Sequence, residues 1–289
     1  MTEYLTASRV HVPDEVPLED AFARTSHLAI GAHPDDLEIF AYHGIACCFE
    51  DADRWFGGVT VTDGAGCARG GPFASVSDRD MKEIRYREQI SAADIGRYSF
   101  QCQFGYSSAE IGEAITYARL VSKLREIVES CRPEVLYLHN PADKHPTHLR
   151  VLTACIDAVR AISPENRPGA VWGCEVWRDL DWLRDSDKVI LPTDAYPDLA
   201  RGLIEVYASQ IAGGKGYVDA VLGRRRANAT FFASHEVDGI RSCCYAMDLG
   251  PLFGDDPMSI EALLKGHSDH FASDLVGAIR GAAGRGMIP

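Results

Sequence analysis

The amino-acid sequence predicts an α/β protein with a mostly parallel sheet flanked by helices and a C-terminal elaboration. Short apolar runs alternate with longer amphipathic segments, which is the pattern of strands joined by helices that cross the sheet. With 289 residues, of which 46% are hydrophobic and 25% charged, the chain can bury a large core. We expect a single domain over residues 1–289, with a core over about residues 25–185 and an elaboration over about residues 186–289.

Buried strands are predicted from short apolar runs at residues 27–32 (HLAIGA), 55–62 (WFGGVTVT), 134–139 (EVLYLH) and 171–177 (VWGCEVW). Apolar residues at helical spacing predict helices over residues 81–97, 109–131 and 148–162. Beyond residue 188 the pattern is looser. It predicts helices over residues 197–211 and 217–232 and a weaker strand over residues 243–248.

The charge balance argues against two classes of partner. The chain has 42 acidic and 29 basic residues, a formal charge of −13, so its surface should repel nucleic acid and anionic membranes. No segment has the apolar pattern of a signal peptide or the roughly 20 apolar residues of a membrane span. We therefore expect a cytoplasmic protein with a small-molecule ligand and no nucleic-acid or membrane partner. The cysteines are expected to be reduced, and a homo-oligomer is left open.

A first polar cluster, His33-Pro34-Asp35-Asp36, follows the strand predicted at residues 27–32. Proline and aspartate are ordinary residues at a helix start, so capping alone would explain them. Alternatively, His33 and Asp36 face one point as imidazole and carboxylate ligands of a divalent metal, with Asp35 beside them. Two ligands are too few for a metal site, so a third must come from elsewhere.

A second cluster follows the strand predicted at residues 134–139. It contains Asp143, His145 and His148, and a helical pattern begins at its end. Capping would again be an ordinary explanation. Two such clusters at strand ends, however, supply the three protein ligands that a catalytic zinc site with one open position needs.

These motifs, His33-Pro34-Asp35-Asp36 and Asp143-x-His145-Pro146-x-His148, resemble those of the zinc-dependent N-deacetylases of the PIG-L/LmbE superfamily. The similarity spans at least residues 28–150 and includes Thr62-Asp63-Gly64 and Arg87-Glu88; the segment GCEVWRDLDWL is similar in part of the family. The resemblance implies a Rossmann-like sheet, a divalent metal and hydrolysis of an acetamide on a sugar, usually a 2-acetamido-2-deoxyglucose unit. Free amine and acetate are the expected products.

By this resemblance, His33, Asp36 and His148 bind the metal, Asp35 is the general base and His145 stabilises the oxyanion. Zinc is the expected metal, and Fe²⁺ or Co²⁺ would suit the same ligands. The substrate is expected to be a small N-acetylglucosamine-type amino sugar or glycoside.

One position departs from the family pattern. Many members have an aspartate that holds the catalytic imidazole, and here that residue is Thr147. Either Asp143 takes over this interaction or His145 is less basic than usual. Asp143 is also a candidate substrate contact, together with Arg69 in a glycine-rich loop at residues 64–71 and Arg178.

Other function classes have some support. The segment Gly105-Tyr106-Ser107-Ser108-Ala109 follows a weak strand, FQCQF, and resembles the nucleophile elbow of a serine esterase, with Ser107 as nucleophile. Nucleotide binding by the glycine-rich loop is disfavoured because Arg69 replaces the third glycine of the motif. A non-catalytic sugar-binding protein of the same fold is a further alternative.

Two motifs near the C-terminus have simpler explanations. His267-Ser268-Asp269-His270 follows a helical stretch and no buried strand, so we expect a solvated or interface pair. The run Arg224-Arg225-Arg226 predicts a solvated or salt-bridged helix face.

Overall fold

The structure is a computed structural model that describes residues 8–283. Its strands are β1 (Arg9–His11), β2 (Thr25–Gly31), β3 (Trp55–Thr62), β4 (Phe100–Tyr106), β5 (Val135–His139), β6 (Ala170–Cys174), β7 (Lys188–Pro192) and β8 (Cys243–Asp248). Its α-helices are α1 (Leu18–Ala23), α2 (Asp36–Phe40), α3 (Tyr42–Cys48), α4 (Asp78–Ile95), α5 (Ala114–Cys131), α6 (Pro146–Arg160), α7 (Pro197–Glu205), α8 (Ala208–Ile211), α9 (Tyr217–Phe231) and α10 (Ile260–Ala283).

The eight strands form one sheet in the order β1-β4-β3-β2-β5-β6-β8-β7. Strands β2 to β6 are parallel to one another, because helices on the sheet faces return the chain to the same edge before each new strand. β1 pairs antiparallel with β4, and β8 pairs antiparallel with both β6 and β7. The C-terminal part of the chain thus extends the same sheet by two strands.

Each face of the sheet is covered by its own apolar layer. Along β2, Leu28 and Ile30 point to the layer that includes buried residues of α5 and α6, whereas Ala29 points to the layer with α2, α3 and α7. This alternation has the period of two that a strand imposes. Burial on both faces explains why β2 and β3 appear in the sequence as continuous apolar runs.

The predicted α/β fold class with a mostly parallel sheet is confirmed, and the main differences lie at element ends. The helix predicted over residues 109–131 begins only at Ala114, after a short 3₁₀ turn at Glu110–Gly112. The helix predicted over residues 197–211 is divided into α7 and α8. The division is at Tyr207, which leaves the helical conformation (ψ 56°) while its hydroxyl donates to the buried Glu38 carboxylate at 2.6 Å.

Residues 8–283 contain neither a disulfide nor a membrane-spanning helix. All nine cysteines are unpaired, as expected for reduced thiols. Among residues 8–283, no helix is both long and apolar enough to cross a membrane.

Candidate metal centre

The candidate site lies where the order of the parallel strands reverses. From β2, successive strands are added first through β3 and β4 on one side and then through β5 and β6 on the other. The loops that follow β2 and β5 therefore leave the sheet in opposite directions and open a crevice at the carboxyl ends of these two strands. The two polar clusters predicted from the sequence are these two loops.

The loop after β2 is held in a tight, strained turn. A Cβ atom on Gly31 would lie 2.9 Å from Leu37 and 3.1 Å from Asp36, so glycine is needed for the turn to return this close to the strand. Asp35 has a φ of 96°, a conformation that costs energy for any residue with a side chain. Strain of this kind at a crevice is typical of a functional position.

The loop after β5 leads into α6. His145 caps this helix, because its Nδ1 accepts a hydrogen bond from the Thr147 N–H at 3.2 Å. His148 lies in the first turn of α6, and its side chain is fully buried. The helix start therefore fixes both imidazoles next to the loop after β2.

Three metal-ligating atoms from the two loops converge. His33 Nδ1 lies 3.1 Å from His148 Nε2 and 3.3 Å from Asp36 Oδ2, and His148 Nε2 lies 3.4 Å from Asp36 Oδ1. The ligating atoms around a tetrahedral zinc ion, with bonds of about 2.0–2.2 Å, are separated by about 3.4 Å. The spacing of these atoms is therefore suited to a single metal ion.

The contacts of His148 define which of its two ring nitrogens is available to bind a metal. Asp143 Oδ2 lies 3.3 Å from His148 Nδ1, and a carboxylate favours the proton on that nitrogen. Nε2 then presents its lone pair to His33 and Asp36. Burial lowers the pKa of His148 to about 4, so the ring is neutral at pH 7 and suited to bind a metal. The donor set thus fits zinc.

His139, the last residue of β5, is a buried neighbour of the centre that the sequence patterns did not single out. Its ring stacks on His148 at a centroid distance of 3.8 Å, and its Nε2 accepts the Ala32 N–H at 2.9 Å. His139 thereby ties the end of β2 to the ring of His148. Its position as the last residue of a buried strand was the available signal.

The Asp35 carboxylate faces a buried arginine, Arg85 of α4. Arg85 Nη2 donates to Asp35 Oδ2 at 2.9 Å and to the Pro34 carbonyl, and Nη1 donates to Glu88 at 3.2 Å. Burial raises the pKa of Asp35 to about 6 although Arg85 opposes the shift. Asp35 is thus a carboxylate that can exchange a proton near neutral pH.

Arg85 is a second residue that the sequence patterns missed. The motif comparison had indicated Arg87, which is exposed, whereas Arg85 is only 1% exposed. Arg85 shares the buried face of α4 with Met81, Glu88 and Ala92. An arginine at helical spacing with apolar residues was the signal for a buried ion pair.

His145 is placed at the crevice without a carboxylate on its ring. Asp143 Oδ1 accepts the backbone N–H of His145 at 2.9 Å, and its other oxygen faces His148, so Asp143 does not take the position of the missing family aspartate. Burial, together with His33, lowers the pKa of His145. Because Nδ1 accepts from Thr147, the neutral ring carries its proton on Nε2 as a donor.

A cleft of about 770 Å³ opens above these residues. Its floor contains His33, Asp35, Asp36 and His145. One wall is the glycine-rich loop at residues 64–68, and the other includes residues of α9 and of the segment before it. Trp177 and Tyr217 stand on this second wall with ring centroids 6.3 Å apart, and Lys215 Nζ lies 5.2 Å from the Trp177 ring.

The three residues expected to contact substrate have other partners in the structure. Asp143 has a fully buried side chain beneath His148. Arg69 donates to the Ala65 carbonyl at 2.9 Å and to Asp78 at 2.6 Å, and Arg178 Nε donates to the Ala142 carbonyl at 2.5 Å. None of the three lines the cleft. Arg69 and Arg178 brace the loops around the cleft, and their role as substrate contacts stays a prediction.

The serine-esterase alternative lacks the geometry it requires. Ser107 lines the cleft, but its Oγ accepts the Glu110 N–H at 3.2 Å while the Ser107 N–H donates to the Glu110 carboxylate at 2.7 Å. This reciprocal pair resembles a capping box. Within residues 8–283, no histidine is hydrogen-bonded to Ser107, so the hydroxyl has no base to activate it.

Comparison with known proteins relates part of the chain to one protein family and its fold to several solved structures. Residues 28–159 match the family model for PIG-L, GlcNAc-PI de-N-acetylase. No curated protein matches the sequence. Among solved structures, an N,N'-diacetylchitobiose deacetylase from Pyrococcus horikoshii is 20% identical with a TM-score of 0.61, over 85% of this chain and 92% of that chain.

Two other structures have similar folds. The 4-carboxy-2-hydroxymuconate hydratase from Pseudomonas putida is 18% identical with a TM-score of 0.60, over 78% of this chain and 95% of that chain. The zinc-inhibited form of a teicoplanin deacetylase is 17% identical with a TM-score of 0.54, over 78% of this chain and 97% of that chain. At these low sequence identities, the similarity to the solved structures shows that the fold is the same and nothing more. The match over residues 28–159 shows that this part of the chain is similar to the PIG-L, LmbE-like family.

Proposed function

We propose that the protein is a metal-dependent N-deacetylase that hydrolyses the acetamide of an N-acetylglucosamine-type amino sugar or glycoside to the free amine and acetate. The observation that carries the proposal is the convergence of His33 Nδ1, His148 Nε2 and the Asp36 carboxylate. Two of these residues, His33 and Asp36, line the cleft. The family match and the two structurally similar deacetylases support the same reaction type.

In this proposal His33, Asp36 and His148 hold the metal, with zinc as the expected ion. When bound there, a divalent metal would polarise the acetamide carbonyl and lower the pKa of water toward neutrality. Asp143 fixes the ring of His148 from the opposite side. The ring of His139 accepts the Ala32 N–H and stacks on His148. It thereby connects the end of β2 to one of the proposed metal ligands.

Asp35 acts as the general base. As a water oxygen forms its bond to the carbonyl carbon, the Asp35 carboxylate takes a proton from that water. When the C–N bond breaks, the same group returns the proton to the departing nitrogen, and free amine and acetate result. A pKa of about 6 allows both steps near neutral pH, and Arg85 keeps the carboxylate oriented throughout.

His145 stabilises the charge that develops on the carbonyl oxygen. Its Nδ1 is occupied by the Thr147 N–H, so the neutral ring offers Nε2–H to the cleft. A fixed donor at this position lowers the energy of the transition state without needing a charged imidazolium. This role accommodates the threonine at position 147.

The lining of the cleft and the charge of the chain favour a small, neutral, partly apolar substrate. Trp177 and Tyr217 offer aromatic surface with polar tips above the candidate metal centre. The net charge of −13 disfavours a polyanionic substrate at long range and attracts a protonated amine product.

The experiment is an amine-release assay of zinc-loaded protein against a panel of N-acetylated sugars and glycosides, with Asp35→Asn as the matched inactive variant. We expect release from at least one acetamido sugar, lost on chelation and on Asp35→Asn. Because a hydratase shares the fold, 4-carboxy-2-hydroxymuconate is included in the panel. Turnover of that compound, with no amine release from any acetamide, would contradict the proposal.

A further inference from the structure

A second group of metal-ligating side chains lies away from the cleft. Asp187 immediately precedes β7, and His267 and His270 lie three residues apart on α10. Asp187 Oδ2 is 2.8 Å from His270 Nδ1 and 3.6 Å from His267 Nδ1. One ligand atom from each residue lies within 4.8 Å of the others.

The imidazole of His267 has unsatisfied polar atoms. Both of its ring nitrogens are shielded from solvent, and neither has a hydrogen-bond partner. A neutral imidazole always has one donor and one acceptor nitrogen, and burying them unpaired is unfavourable. Of the expected solvated or interface pair, solvation does not hold for His267, whose side chain is only 14% exposed. Coordination to a cation would satisfy its acceptor.

These residues lie where α10 leaves the body of the protein. Leu263 is buried in the core cluster, and Leu264 packs against it. After His267, every described side chain of the helix to residue 282 is exposed. A link at His267 and His270 would therefore fix the helix at the point where its apolar packing ends.

We propose that Asp187, His267 and His270 form a second metal site that binds a divalent late transition metal, zinc foremost, and fastens α10 to the start of β7. Two imidazoles and a carboxylate are a ligand set that zinc accepts. The observed separations of 2.8 and 3.6 Å bracket the roughly 3.4 Å between ligand atoms of a tetrahedral zinc ion. His270 is 48% exposed, which leaves room for water as a fourth ligand.

A metal ion at this second site would compete with a neighbouring cation, the guanidinium of Arg184. Arg184 Nη2 donates to Asp187 Oδ1 at 2.9 Å, which leaves Oδ2 facing both histidines. The same Nη2 lies 3.3 Å from His270 Nδ1, so the guanidinium is the rival cation. Asp274 acts electrostatically on Arg184 and partly offsets its charge. Arg184 thus orients the carboxylate oxygen that the metal would use.

The test is metal content per chain in protein without a histidine tag, loaded with zinc and freed of excess by gel filtration. We expect two zinc ions per wild-type chain and one in a His267→Ala, His270→Ala double variant. Deacetylase activity should be retained in that variant, since neither residue touches the cleft. His235→Ala, which removes an exposed histidine elsewhere, should keep both ions.

A Co²⁺ titration isolates the second site from the first. In a His148→Ala background, we expect one remaining equivalent with the visible absorption of tetrahedral cobalt, abolished by adding His270→Ala. Hydrogen exchange supplies a structural readout, because zinc should slow exchange over residues 263–275 in the wild type and not in the double variant. The proposal is overturned if the double variant still binds a second metal ion. It is also overturned if the wild-type chain binds one ion and zinc leaves its hydrogen exchange over residues 263–275 unchanged.

Discussion

Asp143 Oδ2 lies 3.3 Å from Nδ1 of His148, while Nε2 of the same ring lies 3.1 Å from Nδ1 of His33. The carboxylate therefore selects the tautomer that turns the Nε2 lone pair toward the other two ligands. Its second oxygen accepts the His145 backbone N–H, so one side chain sets the geometry of both histidines on α6.

The first prediction is that Asp143→Asn weakens metal binding about 10-fold to 100-fold, as expected for loss of a partner that orients a metal ligand. The amide can still accept the His145 N–H, so the loop should keep its shape. Competition with a chromogenic chelator measures the affinity. Unchanged affinity combined with a higher KM would instead favour the direct substrate contact that the sequence had suggested.

The second prediction is that Asp35→Asn retains the metal but lowers kcat about 10²-fold to 10⁴-fold, because an amide cannot take the proton of water. Arg85 can still donate to the amide oxygen, so the turn should persist. Metal content and kcat are measured on the same preparation. Asp78→Asn, which changes an exposed carboxylate at the cleft, is the control and should keep most activity. Parallel loss of metal and activity in Asp35→Asn would identify it as a ligand.

Much of the candidate site could be predicted from the sequence because its residues lie in local motifs at strand ends. Gly31, His33, Asp35 and Asp36 are close in sequence, and the parallel strand pattern places them beside the loop that holds His148. Sheet topology alone brings these two loops together. A family resemblance then supplied the roles.

The contacts that could not be predicted depend on side-chain packing across long sequence separations. Arg225 was expected on a solvated or salt-bridged face, yet it is 2% exposed and donates to the carbonyls of Glu38 and Ile39 at 2.7 and 3.0 Å. Arg178 and Arg69 were expected at the substrate, yet each donates to a backbone carbonyl. Charge type indicates a residue's chemistry, but the direction of a long side chain is set by neighbours that no local pattern contains.

The third prediction concerns stability and pH. Burial lowers the pKa of His27 from 6.5 to about 4, and its Nδ1 shares a 2.9 Å hydrogen bond with the Tyr137 hydroxyl. Below about pH 6.5 the unfolded chain binds a proton that the folded chain excludes, so stability falls as pH drops from 6.5 toward 4. This single group should contribute a loss of about 3 kcal/mol across that range.

His27→Gln, which can keep a hydrogen bond to Tyr137, should flatten this part of the profile. Denaturant unfolding of the metal-free proteins at several pH values gives the comparison. Other groups titrate equally in both proteins and cancel in the difference. Parallel profiles for wild type and variant would show that His27 is protonated in the fold.

The fourth prediction is that Trp177→Ala raises KM several-fold with a smaller effect on kcat. Trp177 is 38% exposed on the cleft wall and touches none of the proposed metal ligands, so its loss removes binding surface and leaves the reacting groups in place. Steady-state kinetics on the best acetamido sugar separates the two constants. A fall in kcat at unchanged KM would mean that the Trp177 side chain instead positions the catalytic groups.

The last prediction separates a metal hydrolase from a serine hydrolase. Removal of the metal by a chelator should abolish activity, and added zinc or cobalt should restore it, because the three proposed ligand atoms converge within about 3.4 Å of one another beside the cleft. His148→Ala and His33→Ala should lose this metal, since each removes one of three converging ligands. Ser107→Ala should keep activity within about two-fold, because the Ser107 hydroxyl only caps the turn at Glu110. Full metal occupancy in both histidine variants would exclude the site, and loss of activity in Ser107→Ala with the metal retained would return the serine to consideration.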